Sequence, residues 1–231
     1  MRNVRATGLL AGAAVAAILG GCAGGGLSPE PPAGVNLAGA WKLDHASSDD
    51  PQKVLDQMRA QAFKIIHRLQ QQAAAAPVRP GMRGAGQGQD TLEEDNSLVT
   101  LGPDPLRRSP MAHVVLTTIA RGDFLTVRQS PEELVLDYGI SRRSFTPGAH
   151  SVVSTEDGVG DQTSGWKSRE YVIEIKGQLG PNVTESYGLS PDGHELIDKL
   201  HISAGELPPV SLTRIYRPTT ESAPQQLPST D

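Results

Sequence analysis

Apolar and polar positions alternate along most of residues 112–217, in short runs rich in β-branched and aromatic residues, with turn-forming pairs every 8–12 residues. Ser130-Pro131, Pro147-Gly148, Asp157-Gly158, Gly180-Pro181 and Pro191-Asp192-Gly193 mark the reversals. The pattern predicts strands over 112–119, 123–129, 133–139, 142–147, 150–155, 164–169, 170–176, 181–189, 194–203 and 209–217, preceded by a short strand over 37–44. A different period intervenes at about 50–76. Asp50 is a good N-cap, Pro51 suits a first helical turn, and Leu55, Met58, Ala62, Ile65 and Leu69 recur at helical spacing. The expected fold class is therefore mainly β: a single antiparallel up-and-down barrel of about ten strands over 37–217, capped by one N-terminal helix.

Side chains alternate between the two faces of a strand, so each strand can be given an inner face. Tyr171, Ile173 and Ile175 share one, as do Val183, Glu185, Tyr187 and Leu189; Leu196, Asp198, Leu200 and Ile202; and Val210, Leu212, Arg214 and Tyr216. The apolar faces of three successive strands thus carry Glu185, Asp198 and Arg214. A charge facing a core costs several kcal/mol unless it is paired and hydrogen-bonded. Two readings follow if the register holds; a slip of one residue would instead put these charges outside. Arg214 bridges Glu185, with Tyr187 or Tyr216 donating a hydrogen bond; or Arg214 and Tyr216, with Tyr187 and Glu185 nearby, offer a cation and hydroxyls to a ligand inside the barrel.

Composition sharpens the boundaries. Gly (25) and Pro (18) are abundant among the 231 residues and aromatics make up only 4%. Residues 77–110 are Gly/Pro-rich and lack aromatics, which predicts a disordered insertion within the domain, and 218–231 reads as a disordered tail. The net charge of −5 gives no basic surface for nucleic acid, and the pair Arg142-Arg143 reads as solvated.

The first 21 residues have their own logic. Arg2 and Arg5 precede an apolar run over 9–19, shorter than the ~20 residues a membrane-spanning helix needs, as in a signal peptide. Leu19-Gly20-Gly21-Cys22 then follows. A buried small hydrophobe or a free thiol is the competing reading of Cys22, disfavoured by its place directly behind the apolar core. The segment resembles the lipobox of bacterial lipoproteins. That resemblance implies cleavage before Cys22, lipidation of its thiol, anchoring to the membrane through the N-terminal lipid and, with Ala23 next in line, an outer-membrane, periplasmic location. Residues 22–36 read as a flexible tether. Losing Arg2 and Arg5 takes the formal charge from −5 to −7.

Two short motifs at the ends of the domain carry a further resemblance. Gly39-Ala40-Trp41 is similar to the G-x-W opening of the calycins, the lipocalin and fatty-acid-binding barrels, and Leu212-Thr213-Arg214-Ile215-Tyr216 looks like their closing strand. The resemblance implies structural roles for Gly39 and Trp41, with the tryptophan plugging one end of a lipocalin-like barrel. It also implies an arginine that packs over that tryptophan or meets a ligand carboxylate. A helix directly after the first strand is similar to the fatty-acid-binding order. Closer still in texture are proteobacterial envelope proteins that open with G-x-W-x-L and a nearby Ser-Asp, insert a Gly/Pro-rich segment and close with T-R-x-Y; they bring a fold and no assigned activity.

No nucleophile elbow, metalloprotease helix, phosphate loop or dinucleotide fingerprint occurs, and the six histidines lack ligand-like spacing. No catalytic residue, metal or cofactor is therefore expected. Two roles lead, with an enzyme as a third reading that would require clustered titratable groups in a cleft. One is binding of a small apolar or amphipathic ligand in the barrel, which calls for an open interior of roughly 300 Å³ or more. The other is a structural or interaction role in the cell envelope, with the barrel filled by Tyr171, Tyr187, Tyr216 and their neighbours. Its protein partner is not specified by the sequence.

Overall fold

The alternation pattern resolves into ten strands and two helices in a computed structural model that describes residues 26–75, 104–155 and 158–221. In chain order these are β1 (Gly39–Leu43), α1 (Pro51–Ala75), α2 (Pro110–Ala120), β2 (Phe124–Gln129), β3 (Leu134–Asp137), β4 (Arg142–Phe145), β5 (His150–Thr155), β6 (Gly158–Lys167), β7 (Glu170–Gly177), β8 (Asn182–Leu189), β9 (Leu196–Ser203) and β10 (Val210–Pro218). Cys22, the leader, residues 77–103 of the insertion and residues 222–231 of the tail lie outside the described residues.

The strands form one antiparallel sheet in the order β4-β3-β2-β1-β10-β9-β8-β7-β6-β5. Consecutive strands β4 and β5 thus occupy its two opposite edges. Laid flat, ten strands at ~4.8 Å spacing would hold those edges about 43 Å apart. The connection over 146–149 reaches no more than about 17 Å at ~3.5 Å per residue. The sheet must curl until its edges face each other. It remains unzipped at that seam, so it is a curled up-and-down sheet rather than a fully hydrogen-bonded barrel.

The interior is layered. At the base, Trp41, Leu125, Leu136, Phe145, Trp166, Tyr171 and Leu196 form one apolar cluster, with the Trp166 and Tyr171 rings edge to face at 5.2 Å. Gly39 belongs here for a steric reason: a Cβ at that position would stand 3.3 Å from the Trp41 ring nitrogen, which itself donates to the Leu37 carbonyl. Residues 28–35, expected as part of a tether, close this end together with Leu37, expected as the start of the first strand. Val35 and Leu37 are buried, and Ser28 exchanges backbone hydrogen bonds with Trp166 where β5 no longer reaches β6. At the top, Leu55, Met58 and Ala62 of α1 pack with Met111, Ala112 and Val115 of α2 onto Leu200, Ile202 and Leu212. The stripe on α1 ends sooner than its spacing suggests, because Leu69 lies beyond the sheet and is exposed.

Residues 112–119, read as a strand from their β-branched content, are helical. The helix has its own start signal: Ser109 caps it by accepting from the Ala112 N–H, and Pro110 opens its first turn. Glu206, from the β9–β10 turn, accepts from both the Ser109 hydroxyl and the Met111 N–H. Gly122 closes the other end at φ +76°, the left-handed conformation that suits glycine after a helix. There are thus two capping helices where one was expected, and Pro110, assigned to the insertion, belongs to α2.

Candidate functional site

Between the two apolar layers runs a polar one. On β8 the inner face reads Val183, Glu185, Tyr187; on β9, Leu196, Asp198, Leu200; on β10, Leu212, Arg214, Tyr216. Glu185, Asp198, Arg214 and Tyr216 are all at least 96% buried. Arg121 from the end of α2, Arg143 from β4 and Tyr138 beside β3 complete the layer.

Glu185 is the centre of an ion cluster. Its Oε1 accepts from Arg121 Nη1, and its Oε2 from Arg143 Nη1 at 2.5 Å. The Tyr187 hydroxyl donates to Oε1 at 2.7 Å, and Tyr138 and Tyr187 share a hydroxyl hydrogen bond of 2.7 Å. Burial alone would raise the Glu185 pKa, but the two guanidinium charges prevail and hold the carboxyl well below the usual range. Tyr187 therefore plays the donor role expected of it. The bridge to Glu185 does not come from Arg214, and Arg143, expected in solvent, turns inward.

Arg214 is occupied elsewhere. Its Nη1 donates to the Thr118 carbonyl at 3.1 Å and its Nη2 to the Gly122 carbonyl at 2.5 Å, placing a cation at the negative end of α2. The guanidinium also lies over the Tyr216 ring at 5.3 Å. Asp198, directly opposite Arg214 on the neighbouring strand, has no hydrogen-bond donor to either carboxyl oxygen, and the Tyr216 hydroxyl is likewise unpartnered. Burial, and then the Glu185 charge, push the Asp198 carboxyl up to about 7 against the pull of Arg121, Arg214 and Arg143. Two acids on one inner face are thus driven in opposite directions.

The centre is filled: Tyr171, Tyr187 and Tyr216 are fully buried. Space remains to one side. A cavity of 230 Å³ lies between α2 and the β4–β5 seam, walled by Val114, Ile173, Ile175 and Val183 and ending on Arg121, Arg143 and Glu185. The buried Thr155 hydroxyl on this wall has no partner. The cavity is smaller than the interior expected from the sequence. Of the four candidate ligand residues, only Glu185 lines it; Arg214, Tyr187 and Tyr216 do not. Sequence reasoning missed Arg121 and Tyr138 altogether. Arg121 was hidden by reading α2 as a strand, whereas Arg143 had a signal in its alternation with Phe145 on the inner face of β4.

No family profile and no curated protein matches this chain. Solved structures with some likeness include the REP1-NXSQ fatty acid transporter, 16% identical over 80% of this chain and 98% of that one, with a TM-score of 0.41. The fatty acid-binding protein from brain tissue of Drosophila melanogaster is 16% identical over 79% and 99% of the two chains, TM-score 0.39. A secretory abundant heat-soluble protein of Ramazzottius varieornatus is 10% identical over 42% and 70%, TM-score 0.33. Scores this low leave the strand order and side-chain geometry above as the basis for a functional reading.

Proposed function

We propose that this chain is a lipid-anchored protein of the bacterial envelope, held through Cys22 at the periplasmic face of the outer membrane, that binds a small amphipathic anion without catalysis. The observation that carries the binding role is the inner end of the cavity, where two arginines share one carboxylate beneath apolar walls. That arrangement leaves a net positive charge in a poorly solvated place, and an anionic head brought there gains more than it would in water. Thr155 offers a hydroxyl alongside. At 230 Å³ the space suits a small or short-chained molecule, being just under the ~300–1,000 Å³ of most ligand pockets.

The test is native mass spectrometry of the full chain purified from its own envelope, paired with titration by short-chain carboxylates and by their uncharged methyl esters. A retained small anion, or carboxylate binding that weakens at least tenfold in Arg143→Met, supports the reading. A bare protein that binds neither overturns it. The filled tyrosine layer favours the second reading, a structural or interaction role in the envelope with no ligand, and that bare result is its expected outcome.

A further inference from the structure

Arg214 stands at a junction. Its Cα partner across β9 and β10 is Asp198, and side chains so opposed share a face with Cβ atoms about 5 Å apart. Yet the guanidinium turns to the carbonyls of Thr118 and Gly122, and both Asp198 oxygens are left without a donor. A buried acceptor without a donor is tolerable when it is a neutral acid and expensive when it is a carboxylate. The competing claims on one arginine therefore depend on one proton.

We infer that Arg214 is a proton-controlled latch on α2: with Asp198 neutral it clamps the carboxyl end of the helix, and with Asp198 ionised it swings back across the sheet and lets that end fray. The surroundings supply no other free route. Facing Asp198 are Glu185 and Tyr187 on β8, Arg214 and Tyr216 on β10, Arg121 on α2, Arg143 on β4 and Tyr138 beside β3. Arg121 and Arg143 are engaged by Glu185, and the Tyr187 hydroxyl donates to Glu185. Tyr216 could donate a hydrogen bond but carries no charge to offset the carboxylate. Arg214 alone is held by neutral groups, two carbonyls and the face of the Tyr216 ring, which a nearby carboxylate outbids.

The change is local. Arg121 keeps its bond to Glu185 in both states, so the loosened part is the last turn, residues 118–122, while the capped start of α2 stays docked on Glu206. The burial of Asp198 and its Glu185 neighbour bring the titration to about neutral pH. The device stands whether or not the cavity takes a ligand.

The test is amide hydrogen exchange by NMR on the full chain across pH 6–9, corrected for intrinsic rates, together with the ¹³C shift of the Asp198 carboxyl. A latched state that holds a proton the released state lacks loses about tenfold in population per pH unit above its midpoint. Exchange at residues 118–122 follows the released population: it is expected to rise about tenfold per pH unit below that midpoint and to level off above it, with the same midpoint as the Asp198 carboxyl, at rates well above those of the β9 and β10 amides, which open only with the whole fold. Asp198→Asn should keep the turn protected throughout. A flat profile in the wild type, a midpoint that differs from that of Asp198, or an equal rise in Asp198→Asn would overturn the latch.

Discussion

Asp198 and Arg214 face each other directly across β9 and β10 without forming a salt bridge. Opposite charges in that position normally pair. Here the arginine serves a helix end, and the acid is left to burial, which favours its neutral form.

Replacing Asp198 by Asn should stabilise the protein, increasingly so as pH rises. The folded carboxyl, at about 7, binds its proton more tightly than the unfolded one near 3.8. The wild type therefore loses stability as pH climbs between those values, and the loss is complete above about 7. The expected advantage of Asp198→Asn is up to about 4 kcal/mol above neutral pH, and smaller at pH 4–5. Urea unfolding at several pH values reads it directly.

Glu185 should behave in the opposite sense. Its folded pKa is depressed, so the stability it confers is present above the ordinary carboxylate range and declines as pH falls below it. Glu185→Gln leaves Arg121 and Arg143 in the interior without their counter-ion, at an expected cost of about 3–5 kcal/mol at pH 7. A loss under 1 kcal/mol in the same denaturant titration would show the cluster to be better solvated than its burial indicates.

The sequence disclosed the sheet more fully than the site. Nine of the ten strands follow turn signals or period-two alternation closely, and Ser48-Asp49, met only as a motif beside the G-x-W, proves to have a physical task. Past the end of β1, the Ser48 hydroxyl and the Asp49 carboxylate accept from the backbone N–H groups of Ile215 and Thr213, continuing the edge of β10. The layer of inward charges was legible from alternation on β8–β10. Its pairing was not, because the partners come from elements far away in sequence. Val114, Val115, Thr117, Thr118 and Ile119 favour strand by propensity, and only burial at Met111, Ala112, Val115 and Thr118 shows the helical period that brings Arg121 inward.

The two-point cap at the start of α2 predicts a measurable contribution. Ser109→Ala removes the acceptor for the Ala112 N–H and the hydroxyl held by Glu206, and should cost about 1 kcal/mol in thermal or chemical unfolding. Because α2 covers the cavity, the same variant should increase exchange at residues 111–113 ahead of the strands.

Thr155→Val tests the cavity wall from the other side. It exchanges a buried, unpartnered hydroxyl for a methyl of similar size. Stability should rise by about 1 kcal/mol, while binding of any anion that uses the hydroxyl weakens. Calorimetry on one preparation measures both.

Cys22→Ser bears on the anchor alone. The variant should lose incorporation of labelled palmitate and leave the detergent phase on partition, with the melting temperature of the domain unchanged. Persistence of the label would place the acyl acceptor elsewhere.

The neighbourhood of β1 and β10 has a consequence for how the protein comes into being. Leu43 pairs with Tyr216, and Trp41 with Pro218, so β1, which has β2 along one edge, finds the partner for its other edge only in β10. Contacts of such long sequence separation slow folding. A chain made from its N-terminus must hold Gly39–Leu43 without its β10 neighbour until nearly every residue has emerged. β6 to β9, which pair in sequence order, can assemble while it waits. Closure around the charged layer is then the final event, and truncation after β9 would leave two separate sheets, β4-β3-β2-β1 and β9-β8-β7-β6-β5.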